Sequence, residues 1–105
     1  MNTIVWNVRH DLCGAEALQL GRDAELLIGG DHEWIVLALE RVHDLDATGV
    51  AMMVRLHAAC RARGKRIAVR GGNAMVRMTL RRIGLAALLQ APTDVLAPNM
   101  VPVAA

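Results

Sequence analysis

The stretch Leu45-Asp46-Ala47-Thr48-Gly49-Val50 joins a short apolar run, residues 34–39, to a long amphipathic segment. Asp46 stands where a helix N-cap belongs, so its carboxylate can accept a hydrogen bond from the backbone N–H of Thr48 or Gly49. Gly49 has no Cβ, and in the first turn of a helix it would let another chain approach the backbone closely. A strand, a turn and an acid-capped helix N-terminus therefore predict a local, electropositive docking point.

Strand and helix patterns alternate on both sides of this stretch. β-branched or continuously apolar runs predict strands at 3–9, 33–39 and 65–70, and helical spacing predicts helices at 15–28, 47–63 and 74–82. In the second helix Met53, Leu56 and Cys60 share one stripe, which we expect to face the strand at 34–39. The order of elements predicts an α/β or α+β fold with at least one parallel strand pair.

The end of the chain carries weaker signals. Leu88 and Leu89 are expected to pack back on the core, and Val95–Leu96 to form a last short strand. Residues 99–105 follow one proline and contain another, so they are expected to form a mobile tail after a single domain that spans residues 1–98.

The composition favours a folded, cytoplasmic domain. Hydrophobic residues make up 54% of the chain, which argues against disorder. There is no Phe or Tyr, so we expect most of the Met residues at 52, 53, 75 and 78 to fill the core. The sequence contains no signal-peptide pattern and no apolar run of membrane-spanning length, and its two cysteines do not form a disulfide framework.

Charge is distributed unevenly along the sequence. Residues 1–46 contain nine of the ten acidic side chains, whereas eight of the twelve basic ones lie between Arg61 and Arg82. This pattern fits a basic face for an acidic protein, nucleic acid or anionic lipid, but ordinary solvated surface charge explains it better. Because no aromatic residues are interleaved with the bases, we expect no specific binding of nucleic acid.

Two His-x-x-Cys pairs, His10 with Cys13 and His57 with Cys60, could hold zinc or supply a thiol nucleophile. A core role for Cys60 on the apolar stripe explains the second pair better, and nothing brings His10 to that helix face. Asp44 and Asp46 are better explained as a turn residue and an N-cap than as paired catalytic carboxylates. We therefore expect no metal, no cofactor and no catalytic residue.

Several pieces together resemble the STAS domain, the family of anti-sigma factor antagonists and of the cytoplasmic tails of sulfate transporters. Its signature, Asp-Ser-Ser-Gly-Leu or Asp-Ser-Thr-Gly-Leu, is similar to Asp46-Ala47-Thr48-Gly49-Val50, which also follows an apolar strand and opens a long helix. The helix closing on Arg61-Ala62-Arg63-Gly64 and the segment from Met75 to a Gly84-Leu85 cap extend the resemblance, which runs from about Ala15 to Leu89. It implies a STAS-like α/β domain with a mixed central sheet of about four strands and helices packed on it.

By this resemblance the chain is a non-enzymatic regulatory module that docks on an anti-sigma factor with a kinase-like fold. The implied partner-binding residues are Asp46, Ala47, Thr48, Gly49, Val50 and Met53. The position phosphorylated in the antagonists is Ala47 here, which cannot be modified, so Thr48 is the candidate phosphorylation site. The alternative is the small STAS subunit of a bacterial phospholipid-transport ATPase complex, which binds the nucleotide-binding subunit near the membrane. The sequence leaves open the oligomeric state, and whether the N-terminal strand completes the sheet or pairs between chains.

Overall fold

A computed structural model describes residues 3–89 and 102–104. The strands are β1 (Thr3–Asn7), β2 (Trp34–Ala38), β3 (Arg66–Arg70) and β4 (Pro102–Ala104), and the helices are α1 (Gly14–Ile28), α2 (Ala47–Ala62) and α3 (Ala74–Arg82). A 3₁₀ turn at Ala86–Leu89 follows α3. The three predicted helices are confirmed, each within one residue at either end, and the described strands are slightly shorter than predicted.

The sheet has the strand order β3-β2-β1-β4, and all three pairings are parallel. The α/β class and the strand count of about four are confirmed, with the difference that the described strands do not mix directions. The chain crosses through a helix between β1 and β2 and again between β2 and β3, so each strand starts from the same edge of the sheet. The N-terminal strand completes the sheet within its own chain, since β1 lies between β2 and β4.

The C-terminal strand lies inside the segment that was predicted to be a mobile tail. Residues 102–104 instead pair with β1 through Val5–Pro102, Trp6–Val103 and Asn7–Ala104. Pro102 is the first residue of the strand, a position where its missing N–H can be tolerated. The strand predicted at Val95–Leu96 falls outside the described residues.

The main core lies between the sheet and the helices. Alternate strand residues, such as Trp6, Leu37 and Val69, point into it and meet the apolar faces of the helices and Leu88 of the 3₁₀ turn. The stripe predicted on α2 is confirmed, because Met53 and Cys60 are fully buried and Leu56 is 3% exposed, and all three belong to the same cluster as β2.

A second, smaller buried cluster lies on the other face of the sheet and contains Val5, Trp34, Val36, Ala38 and Ala68. β2 is therefore buried on both faces, as its continuous apolar run predicted. No helix within the described residues is long and apolar enough to cross a membrane.

The expectation that the Met residues would mostly fill the core is correct for only half of them. Met52 and Met53 are buried, whereas Met75 and Met78 on α3 are 41% and 48% exposed. The reason is the phase of α3, which directs Val76 and Leu80 into the core and leaves both Met side chains outside it.

Replacing Leu56 by Ala should lower the free energy of unfolding by about 2–5 kcal/mol, because it leaves a cavity at the α2–sheet contact. Val54→Ala is a matched control on the same helix, since Val54 is 44% exposed and its truncation should cost less than about 0.5 kcal/mol. Denaturant unfolding of the three proteins measures both values. Equal stability of the two variants would show that the buried face of α2 is wrongly assigned.

Candidate functional site

The loops that follow β1, β2 and β3 meet at the carboxyl edge of the sheet, where the strands of an open α/β fold leave room for a binding site. The β1–α1 loop pairs with the β2–α2 loop, because Leu12 donates its backbone N–H to the Asp44 carbonyl (3.1 Å) and accepts from the Asp46 N–H (3.2 Å). The Asn73 side chain, at the N-cap of α3, donates to the carbonyl of His43 (3.0 Å). This hydrogen bond joins the β3–α3 loop to the β2–α2 loop.

Asp46 joins the N-termini of two helices with its one carboxylate. Its Oδ1 accepts from the backbone N–H of Gly49 at 2.9 Å, and its Oδ2 accepts from the N–H of Gly14, the first residue of α1, at 3.0 Å. We call these two hydrogen bonds the Asp46 bridge. The N–H of Gly49, followed by that of Gly14, lowers the pKa of the Asp46 carboxyl, although partial burial opposes the shift. The predicted N-cap is confirmed.

Position 49 requires glycine because the neighbouring loop leaves no room for a Cβ atom. A Cβ added at this position would overlap the Leu12 carbonyl oxygen and stand 2.7 Å from Cδ1 of Leu45. The close approach predicted at Gly49 was that of another chain, whereas the segment that approaches it here is the β1–α1 loop of the same chain.

Exposure decides which of the predicted docking residues a partner can reach. Asp46 and Ala47 are exposed, and Thr48 and Val50 are half-buried. Gly49 is buried under the β1–α1 loop, and Met53 is 0% exposed. Met53 was included in the predicted docking surface, but it lies on the core stripe of α2 and cannot contact a partner directly. We call residues 46–50 the docking turn.

Asp11 is a structural residue of this site that sequence analysis did not single out. Its Oδ1 accepts hydrogen bonds from the backbone N–H groups of His43 (2.8 Å) and Asp44 (3.3 Å), and so fixes the β2–α2 loop against the β1–α1 loop. An Asp in a turn commonly caps nearby backbone groups, but these partners lie 32 and 33 residues away, beyond the reach of any local pattern.

Both acidic and basic side chains lie around the docking turn, since Arg9 and Arg41 are exposed in the loops that follow β1 and β2. Glu40, Asp44 and Glu16 are exposed at this edge, and two of them lie beside a basic side chain. Glu40 forms an ion pair of 2.9 Å with Arg70, and Glu16 lies 3.7 Å from Nδ1 of His10.

The cysteines are poor candidates for chemistry. Burial raises the pKa of the Cys60 thiol, an effect that Lys65 opposes only in part, and burial also raises the pKa of Cys13. A raised pKa disfavours the thiolate that a nucleophile or a zinc ligand needs. Among residues 3–89 and 102–104, no three His, Cys, Asp or Glu side chains come close enough together to hold a metal ion. The arrangement is suited to contact with a partner.

Replacing Gly49 by Ala should destabilise the domain by about 1–3 kcal/mol, because the added methyl group must displace the backbone of Leu12. Gly21→Ala is the matched control in α1, where the added Cβ would meet only the flexible Met52 side chain at 3.1 Å and should change stability by less than about 1 kcal/mol. Thermal or denaturant unfolding compares the two. A Gly49→Ala variant as stable as Gly21→Ala would contradict the close loop contact.

Two solved structures share this fold. A sulfate transporter family protein from Wolinella succinogenes superimposes with a TM-score of 0.67 at 18% identity, over 82% of this chain and 70% of that chain. The STAS domain of a SulP transporter from Vibrio cholerae gives a TM-score of 0.64 at 18% identity, over 98% of this chain and 74% of that chain. Identity this low shows the fold alone.

Sequence comparison adds the family. No curated protein matches the chain. The family model described as "Mlab, STAS domain" matches residues 2–90, which include the docking turn and every described element except β4. This chain belongs to the STAS domain family.

Proposed function

We propose that this chain is a non-enzymatic, cytoplasmic protein-binding module that docks on its partner through the docking turn. The observation that carries the proposal is the Asp46 bridge, which holds an exposed helix first turn in one position against the neighbouring loop. A surface that is already ordered before binding loses little conformational entropy when the partner arrives. Membership of the STAS family supports the same role.

The side chains around the docking turn indicate what kind of surface a partner would present to it. Ala47 and Val50 offer a small apolar contact, and beside it the exposed Asp44 carboxylate forms no ion pair with another described residue. Electrostatic complementarity favours a partner that presents Arg or Lys around a small apolar contact.

Two partner classes fit this description. One is an anti-sigma factor with a kinase-like fold, and the other is the nucleotide-binding subunit of a bacterial phospholipid-transport ATPase. The name Mlab in the family description supports the transport partner. Ala47 supports it too, because the phosphorylation that ends binding in the antagonists has no hydroxyl at this position. We therefore favour the transport partner and keep the anti-sigma factor as the second candidate.

Thr48 is the one hydroxyl of the docking turn, and we propose it as the only position there that a kinase could modify. A phosphate at Thr48 would add about −1.5 to −2 charges beside existing carboxylates. The helix N-terminus would favour this charge by about 0.3–1 kcal/mol, which is less than the several kcal/mol needed to bury it unpaired under a partner. Modification would therefore end binding and leave the fold intact.

Replacing Ala47 by Asp should weaken partner binding at least about a hundredfold, because the new carboxylate would be buried without a counter-charge inside the apolar contact, which the partner's bases surround but do not enter. Ala62→Asp is the matched control, since it makes the same change at the exposed last residue of α2, and it should bind like the parent. Calorimetric titration against a purified ATPase subunit and an anti-sigma factor from the same genome measures both variants and identifies the partner class.

Three outcomes would be informative. Ala47→Ser should bind like the parent, because a hydroxyl adds no charge. If Ala47→Asp binds as tightly as Ala62→Asp, the partner docks elsewhere on the domain. If only the anti-sigma factor binds the parent, the transport assignment is wrong while the docking turn remains supported.

A further inference from the structure

The fold divides the basic residues between Arg61 and Arg82 into two groups. Arg70 and Arg77 reach the carboxyl edge of the sheet, where Arg70 pairs with Glu40 (2.9 Å) and Arg77 donates to the carbonyl of Gly71 (3.0 Å). The other six lie in the last turns of α2 and α3 or next to the start of β3, and therefore at the opposite edge: Arg61, Arg63, Lys65, Arg66, Arg81 and Arg82. The docking turn and these bases lie at opposite ends of α2.

Three of these bases line one cleft. It has a volume of about 200 Å³ and lies between the end of α2, the start of β3 and the 3₁₀ turn. Its polar lining consists of His57, Arg61, Lys65 and Arg66, and its apolar lining of Trp34, Ile67, Ala87 and Leu88. We call it the basic cleft.

The positive charges of the basic cleft are held in place without being neutralised. The Nζ of Lys65 donates to the carbonyls of Gly30 and His32, the latter at 2.9 Å, which leaves one of its three N–H donors for another acceptor. The guanidinium of Arg66 lies 5.5 Å from the centre of the Trp34 ring. Neither these two bases nor Arg61 forms an ion pair with a carboxylate among the described residues.

Complementation of the helix dipole explains these bases only in part. The free carbonyls in the last turn of a helix carry partial negative charge and attract a cation, which accounts for Arg61. It does not account for Arg66, which belongs to a strand. Moreover, the carbonyls of Cys60 and Arg61 already accept hydrogen bonds from the backbone N–H groups of Arg63, Gly64 and Lys65, so few are left to attract a cation.

We propose that the basic cleft binds a phosphate group. Arg61 and Arg66 are exposed and supply planar, bidentate donors that match phosphate oxygens, and the remaining N–H of Lys65 adds a third contact. The volume is below the range of about 300–1,000 Å³ that is usual for complete small-molecule sites, so the cleft suits a phosphate group and the first carbons attached to it. The phosphate is that of a soluble phosphate ester or of a phospholipid headgroup.

The two tryptophans of the chain provide an internal comparison for the test. Trp34 lines the basic cleft, whereas Trp6 lies in the main core and does not line the cleft. In a titration of the ¹⁵N-labelled chain with inorganic phosphate at constant ionic strength, the indole N–H signal of Trp34 should shift to saturation while that of Trp6 stays in place. Arg61→Gln and Arg66→Gln should each weaken this response at least about tenfold, because each removes charge-assisted hydrogen bonds.

Arg63→Gln is the matched control, since Arg63 is exposed at the same edge but does not line the cleft. It should bind phosphate like the parent, and so should Ala47→Asp at the docking turn, so this test is independent of the proposed function. A second arm measures co-sedimentation with vesicles of phosphatidylcholine, with and without phosphatidylglycerol. A response to inorganic phosphate without vesicle binding identifies a soluble phosphate ester, and vesicle binding that Arg66→Gln abolishes identifies a lipid headgroup.

The proposal is overturned if the parent responds neither to inorganic phosphate nor to the vesicles. It is also overturned if Arg63→Gln weakens binding as much as Arg61→Gln and Arg66→Gln do. That result would mean that only the general positive charge of this edge attracts anions.

Discussion

The Asp46 carboxylate connects two helix N-termini that are separated by 32 residues of sequence. One oxygen caps α2 through Gly49 and the other caps α1 through Gly14, so one side chain satisfies backbone donors of both helices. This geometry requires that the β1–α1 loop lie directly against the first turn of α2, and the absence of a Cβ at Gly49 makes that contact sterically feasible. The position of the docking turn, and therefore the surface offered to a partner, depends on this contact.

Local sequence patterns were sufficient to predict the helices, the first three strands and one of the two hydrogen bonds of Asp46, the one to Gly49. Asp46 and Gly49 are three residues apart, so an N-cap can be recognised from sequence, and the 3.6-residue period of α2 predicts its buried stripe correctly. Interactions between distant segments could not be predicted in this way. The hydrogen bonds of Asp46 to Gly14 and of Asp11 to His43, and the pairing of β4 with β1, join residues whose proximity only the folded sheet creates. Sequence analysis gave Met53 two roles, one on the buried stripe of α2 and one in the docking surface, and its burial agrees with the first.

The parallel topology also determines at which edge of the sheet the acidic and basic residues lie. Strands that all start from one edge leave the N-termini of the three helices at the carboxyl edge and their C-termini at the other edge. Acids near helix N-termini and bases near helix C-termini are each favoured by the helix dipole. Five of the nine acids in residues 1–46 thus lie at the carboxyl edge with the docking turn (Asp11, Glu16, Glu40, Asp44 and Asp46), while Asp31 and Glu33, just before β2, lie at the other edge with most bases of the second half. A partner and a phosphate group could therefore bind at opposite ends without competing.

Amide hydrogen exchange at Gly14 and Gly49, compared between the parent and Asp46→Ala, is the most direct test of the Asp46 bridge. The account predicts that both amides are protected in the parent and lose protection together in the variant, because both donate to the same carboxylate. The amide of Val76, which Asn73 caps at 2.9 Å in α3, should keep its protection and serves as the control. If Gly14 exchanges at the same rate in both proteins, Asp46 caps α2 alone, and the two helix N-termini are not joined through its side chain.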